Sequence, residues 1–358
     1  MATPKRNGAN RAESQVREPC RLKYSTILGQ WRMDFPPDSV GFPSLSTATV
    51  EPRDPPHYDT LLGTLARYKS AYLNYAAVVS HILTRRFPFK ARLRNGDEVE
   101  LSDHAQAYNC SVYTLLGWSV DPQSDTVVIP AHSGRPPLVF LGAFHDGALK
   151  EVYVEEEYTF LDVHDRTVID IGASIGDSAI YFALRGAREV IGLEPFPKTY
   201  SYAVENVKRN SLSSRVKILR AACQTSDGHI QLNEHLMGTG GLSATENPGG
   251  HFTEALSLQS IVNRFNVHSG VLKVDCEGDE YAIFDSVDNE TLRAFDQIMI
   301  EYHFGLKQLV DRLLSAGFLV RYTKPRRTRD HNNGKILHQG LIRATASRGS
   351  SEPTSTQR

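Results

Sequence analysis

The chain has 358 residues, 40% of them hydrophobic and 23% charged, which is enough apolar material for about two domains. Forty basic side chains against 41 acidic ones give a formal net charge of −1, which excludes a surface given over wholly to nucleic acid or anionic membrane. The four cysteines (Cys20, Cys110, Cys223, Cys276) form no Cys-x-x-Cys pair, and no run of 18 apolar residues occurs, so the expectation is a cytoplasmic protein without zinc ribbon, disulfide framework or membrane span.

Residues 1–57 carry eight prolines and no sustained apolar period, a composition that predicts a disordered tail. Its first 23 residues hold six basic side chains against Glu13 and Glu18, fitting a solvated arm or a docking arm for an anionic partner. A small α+β cap is expected over 58–160. Its first element is a helix whose apolar positions Leu61, Leu65, Tyr68, Tyr72, Tyr75, Val79 and Ile82 alternate steps of four and three. That stripe packs on its own core or, alternatively, forms a homodimer seam along Leu61–Ile82. Alternation through Phe87, Phe89, Ala91 and Leu93, then Asn95-Gly96, then Val99 and Leu101, predicts a hairpin closed by a type I′ turn. Strands are expected at Val127–Ile129, Leu138–Leu141 and Val152–Val154.

From 161 to 345 strands and helices alternate. Strands are predicted at Thr167–Ile171, Val190–Leu193, Val216–Ala221, Val271–Val274 and Gln297–Ile300. Helices follow near Ile175–Arg185, stopping at Gly186, and after Pro197 with Tyr200, Ala203, Val204 and Val207 inward. A further helix starts at Ser257, and another, bearing Leu306, Leu309, Val310, Leu313 and Leu314, ends at Gly317. Phe318–Tyr322 and Ile336–Ile342 lack an intervening helix and read as an antiparallel edge hairpin. Such alternation calls for an α/β fold, a mostly parallel sheet covered on both faces. Residues 346–358 are Ser/Thr-rich and predict a second disordered tail.

In such sheets ligands bind beyond the carboxyl ends of the strands. The first strand there runs into Asp170-Ile171-Gly172-Ala173-Ser174-Ile175-Gly176, where small residues permit a tight turn and the next helix offers free N–H groups. Glu194 ends the second strand, where a carboxylate can accept both hydroxyls of a ribose. A dinucleotide turn would read Gly-x-Gly-x-x-Gly. Here Ser174 replaces the second glycine and Asp170 precedes the turn, which repels a pyrophosphate and suits the cationic amino-acid portion of S-adenosylmethionine.

Val168-Ile169-Asp170-Ile171-Gly172-Ala173-Ser174-Ile175-Gly176-Asp177 resembles the first motif of the FkbM-type S-adenosylmethionine-dependent methyltransferases. Leu272-Lys273-Val274-Asp275-Cys276-Glu277-Gly278-Asp279-Glu280 resembles their second signature, Lys-x-Asp-x-Glu-Gly-x-Glu, and the likeness extends over about residues 150–323. Ser174 stands where the family commonly has asparagine. The resemblance implies a class I methyltransferase (Rossmann-like) fold, with a seven-stranded, mostly parallel sheet and an antiparallel terminal hairpin. It also implies methylation of hydroxyl groups, often on sugars or secondary metabolites, and cofactor roles for Asp170, Gly172, Ala173, Gly176 and Glu194.

Asp275 and Glu277 leave the fourth strand towards the same mouth, and Glu301 and His303 end the fifth. A hydroxyl acceptor gains from a base that removes its proton, for which His303 and Asp275 are the candidates. No metal is assigned, although these four ligands could hold a divalent cation. Lys273 is expected to pair with a carboxylate, and Cys276 to fill space. The glycine-rich 237–250 loop reads as a lid or a surface loop. Lys324, Arg326, Arg327, Arg329 and Lys335 read as a solvated tip or a hold for an anionic acceptor such as a glycan phosphate or RNA. The partner expected is a hydroxyl-bearing small molecule or glycan, with nucleic acid not favoured. An RNA methyltransferase, an NAD(P)-dependent oxidoreductase and a non-catalytic nucleotide-binding module are the alternatives.

Overall fold

The computed structural model describes residues 20–24, 31–34, 49–51, 61–132, 134–144, 147–232, 251–329 and 336–347. The expected lid at 237–250, the hairpin tip at 330–335 and most of both tails lie outside them. Where composition predicts an N-terminal tail, Cys20–Tyr24 and Trp31–Asp34 pair antiparallel, and Thr49–Glu51 runs parallel to Phe318–Thr323. Pairing of this kind satisfies backbone groups without needing an apolar core.

The helix expected across Leu61–Ile82 is two helices, Leu61–Ala71 and Tyr75–Thr84. The break lies at Tyr72–Asn74, which turns aside to pair with the following strand: Leu73 N–H donates to Arg92 O at 2.7 Å, and Arg92 N–H to Asn74 Oδ1 at 2.8 Å. Tyr68, Tyr72 and Val78 are buried while Leu61 and Tyr75 are exposed, so the stripe does not run as one seam. Phe89–Arg92 and Glu98–Leu101 form the expected hairpin. Its turn is one residue longer than the type I′ form: Gly96 (φ +99°) alone has positive φ there, and Leu93 N–H reaches Asp97 O. A helix at His104–Leu115, capped by Asp103, was not legible from its weak periodicity. Val152–Val154 is not a strand. It falls at the end of a helix, Ala148–Tyr153, with Leu149 and Val152 buried.

The central sheet contains β1 (Thr167–Ile171), β2 (Glu189–Leu193), β3 (Val216–Leu219), β4 (Gly270–Val274), β5 (Phe295–Tyr302), β6 (Phe318–Thr323) and β7 (Ile336–Ala346). In space they run β3-β2-β1-β4-β5-β7-β6, with β7 antiparallel to both neighbours and the other central pairs parallel. Alternate residues of each strand face opposite sides. Val168 joins one apolar cluster and Ile169 the other. The first cluster also takes in Tyr72, Leu101, Tyr113 and Phe140, so cap and sheet share one continuous core.

Two helices set the turns at the sheet's carboxyl edge: α1 (Asp177–Leu184) after β1 and α2 (Pro197–Arg209) after β2. On α2 the inner face is Ala203, Asn206 and Val207, whereas Val204 points outward. Asn206 is buried because it serves the cap. Its Oδ1 accepts from Leu141 N–H at 2.7 Å, and its Nδ2 donates to Leu141 O and to Ile175 O. Asn210, one turn on, pairs in the same way with both backbone groups of Val139. The predicted strand ending at Ala221 breaks after Leu219, and Ala221–Gln224 enters a separate three-stranded sheet with Gly228–Leu232 and His251–Ser257.

Candidate active site

Strand order reverses between β1 and β4, and the two signatures leave the sheet side by side there. The first turn is bound to β2 through Gly172 N–H and Ala173 N–H, both donating to Leu193 O. Gly172, Ser174 and Gly176 all have positive φ. A Cβ on Gly172 would stand 1.7 Å from Asp275 O, so the glycine is needed to let β1 and β4 come together.

Asp170 and Lys273 are cross-strand neighbours in the β1–β4 register. Both are buried, with Lys273 Nζ 3.3 Å from Asp170 Oδ1 and donating to Gly172 O at 2.8 Å, while Ser178 Oγ donates to Asp170 Oδ2. Burial alone would lower the Lys273 pKa, but Asp170 first, then Asp275 and Asp177, hold it above its usual value. The pair braces the turn from behind. Glu194 Oε1 accepts from Phe196 N–H at 2.9 Å and Thr199 Oγ1 at 2.7 Å. Burial dominates its titration, pushing the carboxyl up to about 7 despite these donors.

At the other end, His303 Nε2 lies 3.3 Å from Glu277 Oε2 and 3.9 Å from Asp275 Oδ1, and Lys273 Nζ is 3.8 Å from Asp275 Oδ2. Burial would lower the His303 pKa, but Glu280 first, then Glu277 and Asp275, push it up to about 10. The surrounding carboxylates thus favour the imidazolium form of the ring at neutral pH. In that form the ring has no free lone pair for an acceptor proton, which favours Asp275 over His303 of the two bases expected from sequence. Glu301 is raised well above the carboxylate range, by burial first and then by Asp275 and Glu157, and Glu157 is pushed up to about 7 by burial and Asp275.

A cavity of about 230 Å³ joins the two ends. Of the expected cofactor residues, Gly172 and Glu194 line it, whereas Asp170, Ala173 and Gly176 do not and shape the turn instead. All four expected acceptor-side residues, Asp275, Glu277, Glu301 and His303, line it. Sequence reasoning missed Tyr158, which is contributed by the one-turn helix Glu157–Phe160, and the Ala221–Cys223 shelf beside Glu194. Asp275, Glu277 and His303 place one ligand atom each within 4.8 Å of one another, a spacing that a divalent cation could bridge.

A sheet ordered 3-2-1-4-5-7-6 with an antiparallel seventh strand, and a small-residue turn facing a strand-end carboxylate, is the class I methyltransferase architecture. Residues 170–320 match the family model described as Methyltransferase FkbM domain, and this segment is an FkbM domain, whose cofactor is S-adenosylmethionine. The match decides for that cofactor over a nicotinamide. Uncharacterized protein 158B of Sulfolobus islandicus rod-shaped virus 1 is 43% identical over 53 residues, which is 15% of this chain and 34% of that protein. The chain thus spans about a third of that curated relative's length. Among solved structures, methyltransferase FkbM from Methylobacillus flagellatus is 13% identical with a TM-score of 0.37, covering 68% of this chain and 56% of its own. TYW2 from M. jannaschii, solved in complex with AdoMet, is likewise 13% identical with a TM-score of 0.34, covering 64% of this chain and 90% of its own. Among the described residues no helix is long and apolar enough to cross a membrane.

Proposed function

We propose that the chain is an S-adenosylmethionine-dependent O-methyltransferase acting on a hydroxyl of a sugar, glycan or small metabolite. The observation that carries this reading is the charge of the cavity. Seven lining residues are acidic; even with Glu301 and Glu194 favoured in their protonated forms, the other five outnumber the two cationic ones, Lys273 and His303, which are already paired. Such a lining favours a cationic sulfonium and a neutral polyol, and repels a phosphodiester chain. Exposed Lys324, Arg326 and Arg327 are the feature that favours the RNA alternative.

The residues present fit the cofactor. Glu194 suits the ribose hydroxyls, the Ala221–Cys223 shelf suits an apolar ring face, and the Gly172–Ser174 turn suits a closely approaching amino-acid portion. When bound, S-adenosylmethionine supplies an electrophilic methyl group. Asp275 accepts the proton of the acceptor hydroxyl at a carboxylate oxygen, and the His303 imidazolium holds the Asp275 and Glu277 carboxylates in place. Tyr158 and the neighbouring helix form one wall of the cavity.

The test is a methyl-transfer screen with labelled cofactor against glycans, small hydroxyl compounds and RNA. Transfer to a hydroxyl of the first two classes is the expected result. Salt-sensitive transfer to RNA alone would overturn the reading in favour of a nucleic-acid methyltransferase.

A further inference from the structure

Glu280 closes the second signature, and none of the roles above uses it. Its side chain is fully buried and folds back over the turn that precedes it. Oε2 accepts from Gly278 N–H at 2.8 Å, with Cys276 Sγ 3.7 Å away. Oε1 accepts from the backbone N–H of His303 at 3.2 Å and from its ring Nδ1 at 3.0 Å. One carboxylate therefore gathers donors from both elements that carry the acceptor-side residues. A buried carboxylate is stable in the fold only when its oxygens are satisfied in this way.

We infer that Glu280 is the positioning residue of the acceptor half, fixing the His303 ring through Nδ1 so that Nε2 meets Glu277 and Asp275. This rests on the functional reading above. The nitrogen that one partner of a histidine engages determines which nitrogen faces the other side. With Nδ1–H held by Glu280, Nε2 is the atom left for the cavity, 3.3 Å from Glu277 and 3.9 Å from Asp275. The same carboxylate holds the turn that aims those acids. Glu277 and Gly278 have φ of +58° and +123°, conformations that open without a tether, and the Gly278 N–H bond to Glu280 supplies one. Lys273 cannot substitute as an anchor, being committed to Asp170 and Gly172 O.

The backbone beyond His303 has its own supports. Phe304 N–H donates to Tyr281 Oη, and Tyr281 O–H donates to Gly305 O. Loss of the Glu280 charge should therefore release the ring before it releases the strand. The experiment compares the full chain with Glu280→Gln by three readouts: ¹⁵N signals of the His303 ring, calorimetry with S-adenosylmethionine, and labelled-methyl transfer to the hydroxyl acceptor found in the screen. The expected result is a His303 ring that loses its proton at lower pH in Glu280→Gln than in the parent chain. Cofactor affinity should stay within about threefold, while turnover falls about 10- to 100-fold. Unchanged ring signals, or unchanged turnover, would overturn the inference. If Glu280→Gln does not fold, Glu280→Asp, whose shorter arm withdraws from Nδ1, is read in the same three ways. Failure of both to fold would overturn a positioning role in favour of a purely structural one. A screen without any hydroxyl acceptor, with ring signals that still move, would overturn the functional reading and leave Glu280 orienting His303.

Discussion

Glu194 gives the clearest titration signature in the site. Its carboxyl is raised from 4.5 to about 7, so the fold favours the protonated form. That contribution to stability is complete below the unfolded value and is lost as pH rises through the folded one. Glu194→Gln removes the cost of ionising it, so the variant should gain thermal stability over the parent at pH 8 and little at pH 5. A ribose bound to the ionised carboxylate has the opposite pull: affinity for S-adenosylmethionine should be about tenfold weaker at pH 6 than at pH 8. Calorimetry showing a flat affinity across that range would remove Glu194 from the ribose. For Asp275→Asn, cofactor affinity should stay within about threefold while turnover falls about 10²- to 10⁴-fold; full turnover would leave Asp275 structural. Gly172→Val should fail to fold rather than merely fail to bind, because its side chain meets the Asp275 carbonyl, which thermal melting can distinguish. These residues were legible because chemistry concentrates unusual residue types at strand ends. The carboxylate that raises the His303 pKa was not, since Glu280 reaches it across 23 positions of sequence.

At the scale of elements, the sequence carried the seven strands of the sheet because each is a short apolar run bounded by turn residues. It misplaced what neighbours decide. The long helix breaks at Tyr72–Asn74 because a strand that follows 16 to 18 residues later offers better partners. Val204, expected inward, faces outward, and Asn206 takes an inner place, because an asparagine can complete a strand edge and a valine cannot. Asn206→Ala would leave both backbone groups of Leu141, and Ile175 O, short of a partner. That should destabilise the protein by about 3 kcal/mol, as measured by urea unfolding. A loss under about 1 kcal/mol would mean that water or a shifted strand replaces the bonds. Asn210→Ala also removes three bonds, but Asn206 O keeps the Asn210 N–H as a donor, so the loss should be smaller.

At the scale of the whole molecule, the cap and the sheet behave as one unit. The described residues from 49 to 347 belong to a single compact unit, and Tyr72, Phe140, Ile180 and Val190 share one core. A chain starting at residue 161 should therefore lack a cooperative unfolding transition by circular dichroism, whereas one spanning 46–347 should keep it. A sharp transition in the shorter chain would make the cap an independent module. The cavity wall has a related consequence. Ala148, Glu151, Val152 and Tyr158 lie upstream of the segment that defines the family, yet they face the space between the two signatures. That wall can change without altering any residue of 170–320, the span that includes those proposed to hold the methyl donor. On the proposed function, two chains alike throughout 170–320 could then accept different molecules, so likeness of the domain alone would not fix the acceptor.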